Sequence, residues 1–358
     1  MKPLLGIECD QAGGLNDAKL RREPTRPLAH VFHPDTRFAA LLPSKAVARC
    51  GQYCFSVTTA RRSVAIPEEA RPTPASQLHR LSGAMHVKDI QFLAESLLPV
   101  ALRVGRVQMA HQAAGVVATK KADKSPVTIA DQESEAIILE ALARIAPGVA
   151  VVSEEAASTG NIPVVGATFF LVDPLDGTRP FLRREPHFTI NIALIEDRSP
   201  AFGLLYAPAL DDFYVTVGPG QACAARLASS AEPGTLAACA LTPLRTQVPD
   251  PNGLRALTSE THLDKATQRF LDRYPVVERR QVSSSLKFGL MARGEADVYP
   301  RAGDTSEWDT AAGHAVLAAA GGTVTTFDGA PLLYGKPRFR NRGFIAWGRT
   351  PLTPQRPA

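Results

Sequence analysis

From residue 87 to 114 apolar side chains return at every third or fourth position, at Ile90, Leu93, Leu97, Leu98, Ala101, Leu102 and Val104. That spacing lines one face of a helix and predicts a core-facing element, interrupted or bent near Pro99. A polar link, Lys121 to Asp131, leads into a second helical pattern ending near Pro147-Gly148. The period then changes. Val149–Val152 and Phe169–Val172 are short apolar runs bounded by turn formers, which read as buried strands. Phe188–Ile195 alternates large apolar with small or polar residues, as a half-buried strand does, and Phe202–Tyr206 and Phe213–Val217 continue as antiparallel strands. Residues 218–250 are rich in Ala, Pro and Gly and read as a lobe boundary. Beyond them the pattern resumes with a strand at Leu254–Thr258, a helix around Leu263–Tyr274, a strand ending in Tyr299-Pro300-Arg301, and an Ala-rich helix opening at Glu307–His314 and stopping at Gly321-Gly322. Two lobes of mixed helix and strand follow, lobe one at about 85–240 and lobe two at about 241–350, with 351–358 as a tail.

Residues 1–84 stand apart. They carry scattered Pro, paired Arg and no sustained period, so little in them builds a core, and they read as a disordered basic extension. Met85, immediately before the first helical pattern, is a candidate natural start. The net charge of +5 resides in this stretch: it holds 12 Lys and Arg against 7 Asp and Glu, leaving 28 against 28 in residues 85–358. The body is therefore neutral and no nucleic-acid partner is expected. No apolar run approaches the roughly 20 residues that cross a bilayer. The first thirty residues lack the apolar core of a secretory signal, so the cytoplasm is the expected location, with peripheral association at the inner membrane left open. Five cysteines without regular spacing read as free thiols.

The chemistry concentrates in Asp173-Pro174-Leu175-Asp176-Gly177-Thr178. A strand delivers Asp173 into a turn in which Pro174 fixes one φ and Gly177 permits a geometry that other residues resist. Two carboxylates thus emerge three residues apart beside the Leu175 carbonyl, an oxygen-rich corner suited to a hard divalent cation. Ser153-Glu154-Glu155 follows the preceding strand, so strand ends can bring Glu154 to the same cation. Thr128 and Asp131 have capping-box spacing, which gives Asp131 two roles, a helix cap or a carboxylate that orients a hydroxyl or water. Ser284 and Lys287 lie three apart at a helix start, where exposed donors cap or bind phosphate, and Arg301 ends a strand. Asp309 sits in the first turn of the Ala-rich helix, and His314, one turn on, reads as a packed or solvated histidine.

The string DPLDGT resembles the metal-binding signature of the inositol monophosphatase superfamily, and Trp308-Asp309-Thr310-Ala311-Ala312-Gly313 with a later Gly-Gly resembles its second signature, about 135 residues away. Together with SPVT, SEE, FTINIAL, SSLKF and YPR, these segments are most similar to the bacterial 3'(2'),5'-bisphosphate nucleotidases, over roughly residues 87–346. The resemblance implies a layered αβαβα fold and two or three Mg²⁺ held by Glu154, Asp173, Asp176, Asp309 and the Leu175 carbonyl. It implies that Thr178, bonded to Asp131, orients the attacking water with Glu154 assisting, and that Glu155 supports from behind. The implied reaction removes the 3'-phosphate from adenosine 3',5'-bisphosphate, with its sulfated analogue as a second substrate in sulfur assimilation. The phosphate would sit on the backbone N–H groups of Gly177 and Thr178, and Ser284, Lys287 and Arg301 would grip the nucleotide. Sensitivity to Li⁺ is expected, and phosphatase action on inositol monophosphate is the alternative. One departure falls after DGT, where Lys-Glu-Phe is common in the family and this chain has Arg179-Pro180-Phe181.

Overall fold

The computed structural model describes residues 89–121, 125–232, 234–260 and 264–355. The expected extension at 1–84, with its reading as disordered and the candidate start at Met85, lies outside the described residues, as do the last residues of the tail.

The first helix, α1 (Ile90–Ala114), runs unbroken through Pro99. The expected interruption does not occur; Pro99 lies on the exposed side, where a carbonyl left without its helical donor is open to solvation. After a two-stranded ribbon, β1 (Thr119–Lys120) and β2 (Pro126–Val127), helix α2 (Ile129–Ile145) starts on a full capping box between Thr128 and Asp131. β3 (Ala150–Ser153), a short helix α3 (Glu154–Ser158), β4 (Thr168–Asp176) and a short helix α4 (Thr178–Leu182) follow. A meander of β5 (Thr189–Glu196), β6 (Ser199–Ala207), β7 (Asp212–Gly218), β8 (Gln221–Arg226) and β9 (Thr242–Pro243) completes a seven-stranded sheet in sequence order. β3 and β4 are parallel and every other pair is antiparallel. The stretch expected to separate the lobes thus still supplies two strands of this sheet, and the chain crosses over only between Pro243 and Leu254.

The second sheet takes the order β11 (Val276–Gln281), β10 (Leu254–Thr258), β12 (Val298–Arg301), β16 (Phe344–Trp347) and β14 (Thr323–Thr325). Its helices are α5 (Lys265–Leu271), α6 (Leu286–Ala292) and α7 (Ala311–Ala319), and β13 (Thr305–Ser306) pairs with β15 (Arg340–Asn341).

Strand alternation explains how these elements stack. Phe170 and Val172 of β4 point into one core with Leu93, Leu97 and Leu142 of α1 and α2. Phe169 and Leu171 point the other way, into a core shared with Leu286, Met291, Val316 and Leu317 of α6 and α7 and with Phe344 of the second sheet. The far face of that sheet, including Ala256 and Trp347, packs on Phe270 and Leu271 of α5. The layers therefore run αβαβα, as expected. Because helices cover both faces of the first sheet, β5 is buried along nearly its whole length instead of half-buried. Its small and polar positions lie under α6 and α7 and not in water. Gly203 of β6 lets α7 lie close on the sheet: a Cβ there would overlap the Ala312 carbonyl oxygen. Among the described residues no helix is long and apolar enough to cross a membrane.

Candidate metal and phosphate site

The site forms where β3 ends beside β4. Register pairs Ser153 with Val172, so the next residues, Glu154 and Asp173, lie side by side. β4 was expected to end at Asp173, but its ladder with β5 resumes at Asp176 opposite Thr189 after an irregularity. Pro174 has no N–H to offer the ladder, and the intervening residues bulge from it. The bulge is held from two sides. Asp173 Oδ1 accepts the Leu175 N–H at 3.0 Å, and the fully buried Gln108 of α1 donates to the Pro174 carbonyl at 2.7 Å. Gly177 then turns with φ +99°, where a Cβ would lie 2.9 Å from the His187 carbonyl oxygen, so only glycine fits.

Asp309 comes from the other lobe. It was expected in the first turn of α7, but that helix begins at Ala311, and Asp309 occupies the turn before it. There its Oδ2 accepts from the Ser306 N–H at 3.0 Å and from the Thr305 hydroxyl. Carboxylate oxygens of Glu154, Asp173 and Asp309 lie within 4.8 Å of one another. Asp176 stands beside this group, its Oδ2 taking the Ser285 N–H at 2.5 Å. Residues 136 positions apart in the chain are thus gathered into one cleft, lined also by Leu175, Thr178, Ser284 and Arg301.

Crowding acidic groups in a dry cleft resists ionisation. Burial, then the charges of Glu154, Asp176 and Asp309, holds Asp173 well above the usual carboxylate range. Burial and the charge of Asp309 likewise raise Asp176. Burial raises Glu154, opposed by Lys121, whose ammonium sits 2.6 Å from Glu154 and 2.7 Å from Glu155. Burial pushes Glu155 up to about 7, against the same lysine. All-oxygen donors whose mutual repulsion outweighs the nearby cations, Lys121 beside Glu154 and Lys287 near Asp176, are the chemistry a hard divalent cation relieves, so the residues present fit such an ion.

Beside the acids, Asp131 closes the helix cap and also meets a hydroxyl of the cleft. Its Oδ2 accepts from the Thr128 N–H at 2.8 Å and the Thr128 hydroxyl at 2.6 Å, closing the helix cap. Its Oδ1 faces the Thr178 hydroxyl at 3.3 Å, and burial raises its carboxyl. Glu155 sits behind Glu154, bonded to Lys121 at 2.7 Å.

A model of the inositol monophosphatase family matches residues 88–347. The chain belongs to that family. Members of the family are metal-dependent, and the acidic cluster is a site that can hold such an ion. The chain is 39% identical over 230 residues to the 3'(2'),5'-bisphosphate nucleotidase CysQ of Escherichia coli strain K12, a match covering 63% of this chain and 86% of that protein. It is 36% identical over 229 residues to the nucleotidase of the same name from Buchnera aphidicola subsp. Acyrthosiphon pisum, covering 63% and 82%. Among solved structures, CysQ of Bacteroides thetaiotaomicron is 31% identical with a TM-score of 0.57, covering 76% of this chain and all of that one. The inositol monophosphatase of Anabaena (Nostoc) sp. PCC 7120, at 24% identity and a TM-score of 0.53 over 70% and 87%, shares the fold.

The residues expected to hold the nucleotide lie together on the second-lobe side of the cleft. Ser284 and Arg301 line the cleft, and Ser284 has a left-handed backbone with φ +58°. Lys287 lines the same cleft but is only 1% exposed, and its ammonium donates to the backbone carbonyls of Val282, at 2.8 Å, and Ser284. His314 is packed: its Nδ1 lies 3.0 Å from the Tyr334 hydroxyl, and burial pushes it down to about 3. Sequence reasoning assigned no part to Lys121, Gln108 or Ser285. Only the serine left a trace, as the third of three consecutive serines at a helix start.

Proposed function

We propose that this member of the inositol monophosphatase family is a Mg²⁺-dependent phosphomonoesterase that removes the 3'-phosphate of adenosine 3',5'-bisphosphate, yielding AMP and phosphate. The gathering of Glu154, Asp173 and Asp309, with the Asp131–Thr178 pair beside them, carries the chemistry. The likeness to the CysQ nucleotidases supports the substrate. The sulfated analogue, 3'-phosphoadenylyl sulfate, would be a second substrate, placing the reaction in sulfur assimilation in the cytoplasm.

In this reading Glu154, Asp173, Asp176, Asp309 and the Leu175 carbonyl hold two or three Mg²⁺. Bound there, the ions would supply neutralisation of the phosphate oxygens and acidification of water. Thr178 donates its hydroxyl proton toward Asp131 and turns its lone pairs to the attacking water, which Glu154 helps deprotonate. Water attacks phosphorus, the bond to the 3'-oxygen breaks, and no residue becomes phosphorylated. The backbone N–H groups of Gly177 and Thr178 hold the phosphate in the bulged turn, and Ser284 and Arg301 face the nucleotide.

A substrate panel with purified protein and Mg²⁺ tests this. Phosphate release should be faster from adenosine 3',5'-bisphosphate than from inositol 1-phosphate, should need Mg²⁺, and should be inhibited by Li⁺. Preference for inositol 1-phosphate would replace the nucleotide reading with the inositol one.

A further inference from the structure

Glu307 is fully buried two residues before Asp309, and every polar group it owns has a partner. Its Oε2 accepts from the Gly335 N–H at 2.7 Å and its Oε1 from the Lys336 N–H at 3.0 Å, with the Lys336 ammonium 2.6 Å from Oε1. Its own N–H donates to the Phe339 carbonyl at 2.8 Å, and its carbonyl accepts from the N–H groups of Thr310 and Ala311, at 3.2 and 3.0 Å, where α7 begins.

The loop gripped in this way is strained. Arg338 and Phe339 are consecutive non-glycine residues in the left-handed region, φ +58° and +50°, a conformation that side chains disfavour and that neighbouring structure has to hold. Past this pair the loop becomes β15, whose Arg340 and Asn341 pair with Ser306 and Thr305 of β13. β13 is where Asp309 finds its donors, the Ser306 N–H and the Thr305 hydroxyl. Asn341 Nδ2 adds bonds to the Ser306 carbonyl at 3.3 Å and to the Thr310 hydroxyl at 2.9 Å, one on each side of Asp309. The loop thus splints the turn that presents Asp309, and Glu307 fastens the loop. Glu307 itself lines no part of the cleft, so its effect there passes through that turn.

We propose that Glu307 is a positioning residue: it binds the strained loop 335–339 to the turn that presents Asp309, and so sets the place of the Asp309 carboxylate beside Glu154 and Asp173. This deepens the phosphatase reading and rests on it for Asp309 being a metal ligand.

Positioning and plain support of the fold predict different losses. Glu307→Gln keeps the shape but leaves one acceptor oxygen for two backbone donors that now meet separate oxygens, and turns an NH₂ toward one of them. Calorimetry of Mg²⁺ binding to the folded full-length variant should show about a 10- to 100-fold loss of affinity, as for other partners that orient metal ligands. Phosphate release from adenosine 3',5'-bisphosphate should fall with it at low Mg²⁺ and recover as Mg²⁺ is raised, because the Asp309 carboxylate is misplaced and not lost. Arg338→Gly lets the left-handed step form without a side chain's cost, so adding it to Glu307→Gln should return part of the Mg²⁺ affinity. Where Glu307→Gln alone does not fold, the double variant is compared with Arg338→Gly and should still bind Mg²⁺ more weakly. Unchanged Mg²⁺ affinity, with only the melting temperature lowered, would overturn the proposal. Wild-type protein that binds Mg²⁺ but leaves the bisphosphate intact would sink the nucleotidase reading alone, since the Mg²⁺ comparison would still judge Glu307.

Discussion

Thr178 and Asp131 offer the sharpest perturbation, because their structural and chemical contributions separate. Thr178→Val preserves shape and removes one hydroxyl whose bonds, 3.3 Å to Asp131 and 3.4 Å to the Leu175 carbonyl, are long and partly exposed. Its stability cost should be about 1 kcal/mol or less. If that hydroxyl orients the attacking water, activity should fall by about 10²- to 10⁴-fold, or roughly 3 to 5 kcal/mol of barrier. Asp131→Asn should do the same for another reason. The Thr128 N–H must be met by oxygen, so the asparagine carbonyl takes the place of Oδ2 and its NH₂ faces Thr178. The threonine hydroxyl then accepts instead of donating, and its proton turns away from the base. The two residues act as one unit, so the double variant should be no slower than the poorer single. Phosphate release from adenosine 3',5'-bisphosphate at saturating Mg²⁺, with melting followed by circular dichroism, reads both effects. Turnover of Thr178→Val within about threefold of wild type, or losses that multiply in the double variant, would refute the pairing.

Three further outcomes follow from other parts of the structure. Lys121→Met leaves Glu154 and Glu155 without their counter-charge and should destabilise the metal-free protein by about 3 kcal/mol, so the rise in Tm on adding Mg²⁺ should exceed that of wild type; a smaller rise would contradict the role given to Lys121. Gly203→Ala forces a methyl onto the Ala312 carbonyl oxygen, pushing α7 off the sheet, and should cost about 1 to 3 kcal/mol in urea unfolding. His314 is held neutral by burial, its folded value down at about 3 against 6.5 when unfolded, so the unfolded chain binds the extra proton as pH falls through 6.5. His314→Phe should therefore lose less stability than wild type between pH 7.5 and 5, by about 2 kcal/mol, and equal losses in urea titrations at the two pH values would count against it.

Much of the layering was legible because short apolar runs and helical stripes announce their own elements. Leu254–Thr258 forms β10 over that very span, and the stripe from Ile90 to Val104 forms the buried face of α1. What stayed hidden came from other layers. Thr189, Asn191 and Ala193 look like a solvent face, and only the helices laid over them make β5 a central, doubly covered strand. β8 and β9 hid in an Ala-, Pro- and Gly-rich stretch, since strands at or next to a sheet's edge need little apolar sequence to add to an existing ladder.

The acids of the site were readable for a local reason: each ends a strand or opens a turn whose Asp, Pro and Gly are recognisable in single file. Their supports are not local. Lys121 meets Glu154 across 33 positions, Gln108 meets the Pro174 carbonyl across 66, and the Ser285 amide meets Asp176 across 109. A lysine in a polar link and a glutamine in a helix stripe carry no mark of such partners, because the partners meet only once distant segments have folded onto one another. The same asymmetry explains Lys287. Its three-residue spacing from Ser284 suggested a shared face aimed at a ligand, but the left-handed φ at Ser284 turns the preceding carbonyls back onto the lysine. A backbone sign reversal at one residue, invisible in a string of serines, decides which carbonyls that cation meets at the wall of the cleft.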